Sequence, residues 1–364
     1  MGFRCGIVGL PNVGKSTIFN CLSKAKADAS NYPFCTIDPN KGIVTVPDPR
    51  LDKLSEMYRP QKTTPTTVEF YDIAGLVKGA SQGEGLGNQF LSHIREVEAV
   101  MHVVRCFEDP NIVHVSGSVD PVRDIEVVDT ELCLKDLDAM TGRYDKTYKL
   151  AHAGDKEARE IMPFYDRVKK ALEDGTPLRR LAMTEEEKKM IRDMCFLTLK
   201  PVLYCANVAE SDLPEGGKWV DPVREFAEKE NAELVVISGK VESELVDLSE
   251  SEQAEFLAAL NLKEPGLNAL IRAGYHLLDL ITYFTAGEKE TKAWTVRRGT
   301  KAPQAAGVIH SDFERGFIRA EVMRYEDLVH LGSAQAVKEK GLLRIEGKDY
   351  VVQDGDVMLF RFNV

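Results

Sequence analysis

Residues 5–24 read CGIVGLPNVGKSTIFNCLSK: an apolar run, a turn holding Gly9, Pro11 and Gly14, then helical spacing from Ser16 to Lys24. Inside it, Gly9-Leu10-Pro11-Asn12-Val13-Gly14-Lys15-Ser16 matches G-x-x-x-x-G-K-[ST] without deviation. It follows a predicted strand at 5–10 and opens a predicted helix, the context in which this spacing means a phosphate-binding P-loop. Glycine at both ends of the turn lets backbone N–H groups wrap polyanionic oxygens, and the helix N-terminus adds roughly half a positive charge. Lys15 is placed to neutralise β and γ oxygens in catalysis, and the Ser16 hydroxyl suits Mg²⁺.

Working outward, short β-type runs recur at 67–73, 99–107, 200–207 and 233–238, with helical patterns between several of them. Strands alternating with helices predict an α/β domain with a mostly parallel sheet covered on both faces. A P-loop enzyme needs a second carboxylate on the Mg²⁺ side, and Asp72 in VEFYDIAG (68–75) supplies it. Gly75 leaves its N–H free to meet a γ-phosphate, and the segment 79–87, with four glycines in nine residues, reads as a mobile switch. Thr36, between the first helix and the second strand, is where a nucleotide-sensing loop would present a hydroxyl to Mg²⁺. Asn207-Val208-Ala209-Glu210 and Ser238-Gly239-Lys240 each close a predicted strand, where such a domain reads its base.

Between 130 and 193 the texture becomes helical, and two helices forming a hairpin are expected, turned near 153–155 or 175–177. The last eighty or so residues, with alternating runs at 292–296, 317–322, 342–346 and 357–362, predict a small α+β domain with a single helix at 325–330. Net charge is −11, which excludes a basic nucleic-acid coat. Two stretches run against it: 143–193 holds thirteen Lys/Arg to eleven Asp/Glu, and 281–325 holds eight to five. Each alone is an ordinary solvated face; together they suggest a positively lined surface. Seven scattered cysteines without a C-x-x-C pair speak against a disulfide scaffold or structural zinc and for a reducing cytoplasm. The most apolar stretch, 266–287, carries Arg272, His276 and Asp279, so no membrane span or membrane partner is expected, and the N-terminal apolar run stops at a turn by Pro11, too early for a signal peptide.

The chain resembles the YchF subfamily of the Obg group, the Obg-like ATPases, through GLPNVGKST (9–17), NYPFCTIDPNKG (31–42), DIAGLVKGAS (72–81), NVAE (207–210) and DYVVQDGDVMLFRFNV (349–364). The resemblance implies a nucleotide-binding G-domain (1–129 and 196–277), an inserted α-helical coiled coil (130–195) and a C-terminal TGS domain of β-grasp, ubiquitin-like shape (278–364). It makes Asn12, Val13, Gly14, Lys15, Ser16 and Thr17 the phosphate cradle, Ser16 and Thr36 the Mg²⁺ ligands, and Asp72 a neighbour of the metal through water.

Two departures from GTPases shape the expected chemistry. The guanine-reading Asn-Lys-x-Asp is here Asn207-Val208-Ala209-Glu210, so the resemblance implies ATP over GTP, with Asn207 and Val208 facing the base and Glu210 and Ser238 beside it. Leu76 stands where Ras-type enzymes carry the water-orienting glutamine, and leucine can neither donate nor accept. The resemblance points instead to His114 in a loop; Asn12, placed in the P-loop beside the phosphates, is expected to help hold a K⁺ that supplements the absent group, and His102, inside an apolar run, reads as structural. The function expected is a monomeric, cytoplasmic, Mg²⁺-dependent ATPase whose ATP and ADP states switch contacts with the ribosome or structured RNA. The alternatives are a GTP-preferring GTPase of this fold and a nucleotide-gated RNA-binding module with negligible turnover.

Overall fold

The computed structural model describes residues 4–24, 41–73, 94 and 96–363. These form two compact units, the first holding 4–24, 41–42, 69–73, 94 and 96–274, the second 43–68 and 275–363.

The first sheet has the order β2-β4-β1-β5-β6-β7: Lys41–Thr45, Thr67–Asp72, Arg4–Val8, Ala99–Cys106, Val202–Val208 and Glu233–Ile237. From β4 to β7 every pairing is parallel. All eight residues of β5 and all seven of β6 are buried, as central strands covered on both faces require. Parallel pairing brings the C-terminal ends of β1, β4, β5, β6 and β7 to one edge. The P-loop, Asp72, the loop after Cys106, Asn207 and Ser238 therefore share that edge although up to 230 positions separate them.

The helical stretch comprises helices Pro121–His152 and Lys156–Glu173, packed against each other and turned at 153–155. Asp120 caps the first, accepting from Arg123 N at 3.2 Å with Pro121 at the first helical position, and Asp155 caps the second, accepting from Ala158 N at 2.8 Å. At 32 residues the first helix runs ~48 Å, and it starts at Pro121, ahead of the change in composition near 130. Its base is fixed by a largely buried ionic cluster. Arg179 Nη2 donates to both oxygens of Asp129 at 2.7 Å and its Nε to Glu230 at 3.2 Å; Tyr204 OH also donates to Glu230, at 2.7 Å. Every charge in the cluster has an opposite partner, which is the condition for tolerating it away from water.

In the second unit a mixed sheet runs β11-β10-β12-β8-β9-β3: Arg344–Glu346, Phe317–Arg324, Asp356–Phe362, Leu280–Thr285, Glu290–Arg297 and Lys62–Thr64. Tyr283, Phe317, Phe360 and the alanines of helix Ala302–Ile309 make its core. Two readings of the sequence are corrected here. The expected single helix is one of four, Ala302–Ile309, Ser311–Arg315, Tyr325–Leu331 and Ala334–Glu339. Three are short and the first is alanine-rich, so their periodicity is weak and packing decides them. Strand β8 was also missed, because Leu280–Thr285 continues the apolar run of helix Gly266–Leu277 and no turn residue but Asp279, at φ 53°, marks the break.

Candidate functional site

A cleft of about 1300 Å³ opens at the C-terminal edge of the first sheet. Its floor is the P-loop, with Asn12, Gly14, Lys15, Ser16 and Thr17 lining it; one wall is Asn207 to Ser211 and Ser238 to Lys240, another Phe107 to Asp109 with Ile112.

The local conformation of the P-loop is imposed by what crosses behind it. Asn12 has φ 63° and Gly14 φ 93°, both in the left-handed region. A Cβ on Gly14 would lie 2.1 Å from Asn207 Nδ2, and one on Gly9 2.6 Å from the Val103 carbonyl oxygen. Asn207 explains the crowding: its Nδ2 donates to the Val13 carbonyl at 2.9 Å, and its Oδ1 accepts from Gly239 N at 2.9 Å. One buried amide thus ties the phosphate loop to the loop after β7. Val13 is buried and its main chain is held, while the helix Lys15–Lys24 begins with Ile18 N donating to Gly14 O at 3.0 Å.

Lys15, only 8% exposed, pairs through Nζ with Asp72 Oδ1 at 2.5 Å. The structure thus brings together the lysine and the carboxylate that the two motifs predicted, and register places Asp72 opposite Ile7 on the neighbouring strand. Ser16 and Asp72 offer hydroxyl and carboxylate oxygen, the hard donors that Mg²⁺ takes, usually in company with phosphate oxygens and water. Among the described residues no three His, Cys, Asp or Glu side chains gather into a metal site of their own. Thr36, Gly75, Leu76 and the glycine-rich segment 79–87 lie outside the described residues.

At the base end, Val208 is buried, and Glu210 Oε2 accepts from Lys240 Nζ at 2.9 Å. Ser238 is 1% exposed and lines the cleft, and its hydroxyl has no partner among the described residues. Behind this wall, Glu242 accepts from Gly266 N at 2.8 Å, and burial pushes its carboxyl up to about 7. Burial likewise pushes the thiols of Cys5 and Cys106 up to about 12, which leaves them without thiolate chemistry at neutral pH.

His114 sits apart from the cleft lining: its ring is 6% exposed and its Nε2 lies 2.8 Å from Asp124 Oδ2. Its loop nevertheless touches the P-loop, since Asn12 Nδ2 donates to the Val113 carbonyl at 3.1 Å. His102 is buried in β5, and burial holds it down at about 3, neutral and structural as its apolar neighbours suggest. Sequence reasoning passed over Phe107, Ile112 and Leu260 on the cleft walls, and Arg105 behind them. Arg105 is 2% exposed, and its guanidinium lies 4.6 Å from the Phe107 ring centre. It donates to the carbonyls of Phe107 at 3.1 Å and Ile112 at 3.0 Å. An arginine inside the run 99–107, apolar but for His102, was the available signal.

Comparison with known proteins follows the same lines. The family model described as 50S ribosome-binding GTPase matches residues 4–136, and the YchF GTPase C-terminal model, described as Protein of unknown function (DUF933), matches 280–363. The chain is 56% identical over 364 residues to the ribosome-binding ATPase YchF of Escherichia coli O157:H7, and 55% identical over 366 residues to that of Bacillus subtilis (strain 168); each comparison covers 100% of both chains. The solved structure of the Schizosaccharomyces pombe YchF GTPase is 39% identical, with a TM-score of 0.89 over 99% of this chain and 98% of that one. With its P-loop G-domain, its C-terminal domain and full-length identity above one half, this chain belongs to the YchF family.

Proposed function

We propose that this protein hydrolyses ATP, in preference to GTP, to ADP and phosphate in a Mg²⁺-dependent reaction, and that its nucleotide state switches its binding to the ribosome or structured RNA in the cytoplasm. The observation that carries the ATP preference is the base end of the cleft. Guanine recognition needs a free carboxylate one methylene shorter than glutamate, to accept from two N–H groups together. Here the residue is Glu210, and its carboxylate is already engaged by Lys240 at 2.9 Å. Val208 removes the lysine, and Asn207 spends its amide on Val13 and Gly239. Besides main chain, apolar wall and the Ser238 hydroxyl, the cleft offers the carboxylates of Glu108 and Asp109, which accept from Lys218 Nζ at 3.4 Å and from Asn111 N at 2.8 Å, so the carboxylate at the motif's fourth position is not replaced by a free one.

Within this reading Lys15 neutralises the transferring phosphoryl group, and Ser16, Thr36 and Asp72 serve the metal directly or through water. When bound, Mg²⁺ would supply neutralisation of the phosphate charge. Gly75 meets the γ-phosphate and His114 takes the place of the missing glutamine. A K⁺ beside the phosphates would use Asn12 Oδ1, since Nδ2 is held by Val113. The segment 130–195 acts as a coiled-coil arm and 278–364 as a TGS module, the two locally basic regions of an acidic chain. Relatives are named both ATPase and GTPase, and ribosome-binding, which supports the nucleotide and ribosome classes without choosing the base.

The test is calorimetric competition between ATP and GTP, on the wild type and on Val208→Lys with Glu210→Asp. ATP is expected to bind more tightly to the wild type. The double substitution should move the preference toward GTP by roughly 1–3 kcal/mol, the value of a recovered hydrogen-bonded contact. Tighter GTP binding by the wild type would overturn the ATP preference.

A further inference from the structure

His114 is held in one defined state. Ser116 N donates to its Nδ1 at 3.0 Å, so that nitrogen is the acceptor and the ring proton sits on Nε2, which donates to Asp124 Oδ2 at 2.8 Å. Both ring nitrogens are spent, and both side chains are buried, 6% and 3% exposed. Asp124 is itself fixed: it lies in the first turn of helix Pro121–His152, where the helix dipole favours a carboxylate. Its Oδ1 accepts from Arg123 Nη2 at 3.3 Å, and that same nitrogen donates to the Ser118 carbonyl at 2.6 Å. The loop backbone before His114 is gripped from the other side, by Arg105 on the Ile112 carbonyl and by Asn12 of the P-loop on the Val113 carbonyl. Ile112 lines the cleft, and His114 does not.

We propose that Asp124 is a positioning residue that keeps His114 withdrawn from the cleft in its Nε2-protonated form, and that breaking the His114–Asp124 hydrogen bond is the event that admits the imidazole to the reacting phosphate and paces hydrolysis. The proposal rests on the reading of His114 as the group that replaces glutamine. A nitrogen already donating to a buried carboxylate cannot also orient water, so the resting contact opposes catalysis until it opens. The Asn12–Val113 hydrogen bond gives the phosphate loop a direct handle on the residue next to His114, so occupation of the P-loop can bias that opening.

The experiment measures single-turnover ATP hydrolysis and ATP affinity for wild type, Asp124→Asn, His114→Ala and the double variant. Long-range ¹H–¹⁵N spectra of the histidine ring are recorded alongside. Asparagine keeps the shape and an acceptor but loses the charge, so Asp124→Asn is expected to hydrolyse ATP on the order of fivefold to tenfold faster at unchanged affinity. The double variant should match His114→Ala. The spectra should show a single Nε2-protonated tautomer for His114 in the wild type and a mixture in Asp124→Asn. Turnover that is unchanged or slower in Asp124→Asn, or an equal acceleration without His114, overturns the proposal. If His114→Ala hydrolyses ATP normally, the catalytic reading of His114 falls and takes this one with it. If His114→Ala is slow but Asp124→Asn is not fast, only the role of Asp124 falls. Should Asp124→Asn fail to fold, Arg123→Gln loosens the same carboxylate from a half-buried position, and a smaller acceleration is expected on the same terms.

Discussion

Asn207→Ala removes one side chain and two hydrogen bonds, from Asn207 Nδ2 to Val13 O and from Gly239 N to Asn207 Oδ1, both 2.9 Å. Asn207 is 5% exposed, so the Val13 carbonyl and the Gly239 N–H lose partners in a buried place. Each partner left stranded in a buried place costs about 1–3 kcal/mol, so the two together cost about 2–6 kcal/mol, toward the lower end because water can enter from the adjoining cleft. Asn207→Asp should be worse by about 1 kcal/mol: it keeps the acceptor for Gly239 but turns a carboxylate oxygen toward a carbonyl oxygen. Of the two tryptophans, Trp219 lies in the unit with the cleft and Trp294 in the other. Urea unfolding followed by Trp219 fluorescence in a Trp294→Phe background therefore reads the right unit. The same variants should bind ATP about tenfold more weakly, since the P-loop is no longer pre-set and must be ordered on binding. An Asn207→Ala protein within about 0.5 kcal/mol of wild type, with affinity unchanged, would refute the claim that this amide holds the phosphate loop.

Lys15→Ala should abolish detectable hydrolysis and weaken nucleotide binding in a folded protein, checked by phosphate release and calorimetry; near-normal turnover would remove the cleft from consideration. Glu242 titrates near 7 when folded against about 4.5 ordinarily, so its contribution to stability is full below 4.5, is lost as pH rises to 7 and stays lost above. That shift is worth roughly 3 kcal/mol, so Glu242→Gln, which keeps the acceptor for Gly266 N, should melt higher than wild type at pH 8 and with it at pH 4. If the ribosome or structured RNA is the partner, binding should fall steeply between two salt concentrations and weaken further on Arg297→Glu with Arg298→Glu, in a sedimentation assay with ATP analogue and with ADP. Binding indifferent to salt and charge would point to a protein surface instead.

Residues 9–16 announced a P-loop because its chemistry is local: the two glycines, Lys15 and Ser16 act within one turn, and chain order alone puts them together. Asp72 and Asn207 were legible for a related reason: Asp72 ends a strand of alternating burial and Asn207 is the last residue but one of a wholly buried strand, and both patterns are plain in the sequence. What the sequence alone determined, then, is the site's inventory and the alternation of strand and helix that makes an α/β sheet. Only the tertiary structure decided the bonds among the members. That Asn207 spends its amide on Val13 and Gly239 and that Glu210 is engaged by Lys240 depend on where β1, β6 and β7 end relative to one another, and that His114 rests on Asp124 depends on how the loop after β5 folds back on the first turn of helix Pro121–His152, each an ångström-scale outcome of packing. The same limit hid β3, which joins β9 across more than 220 positions, and the short helices of the second unit, whose formation rests on tertiary burial more than on any periodicity a few residues long can carry.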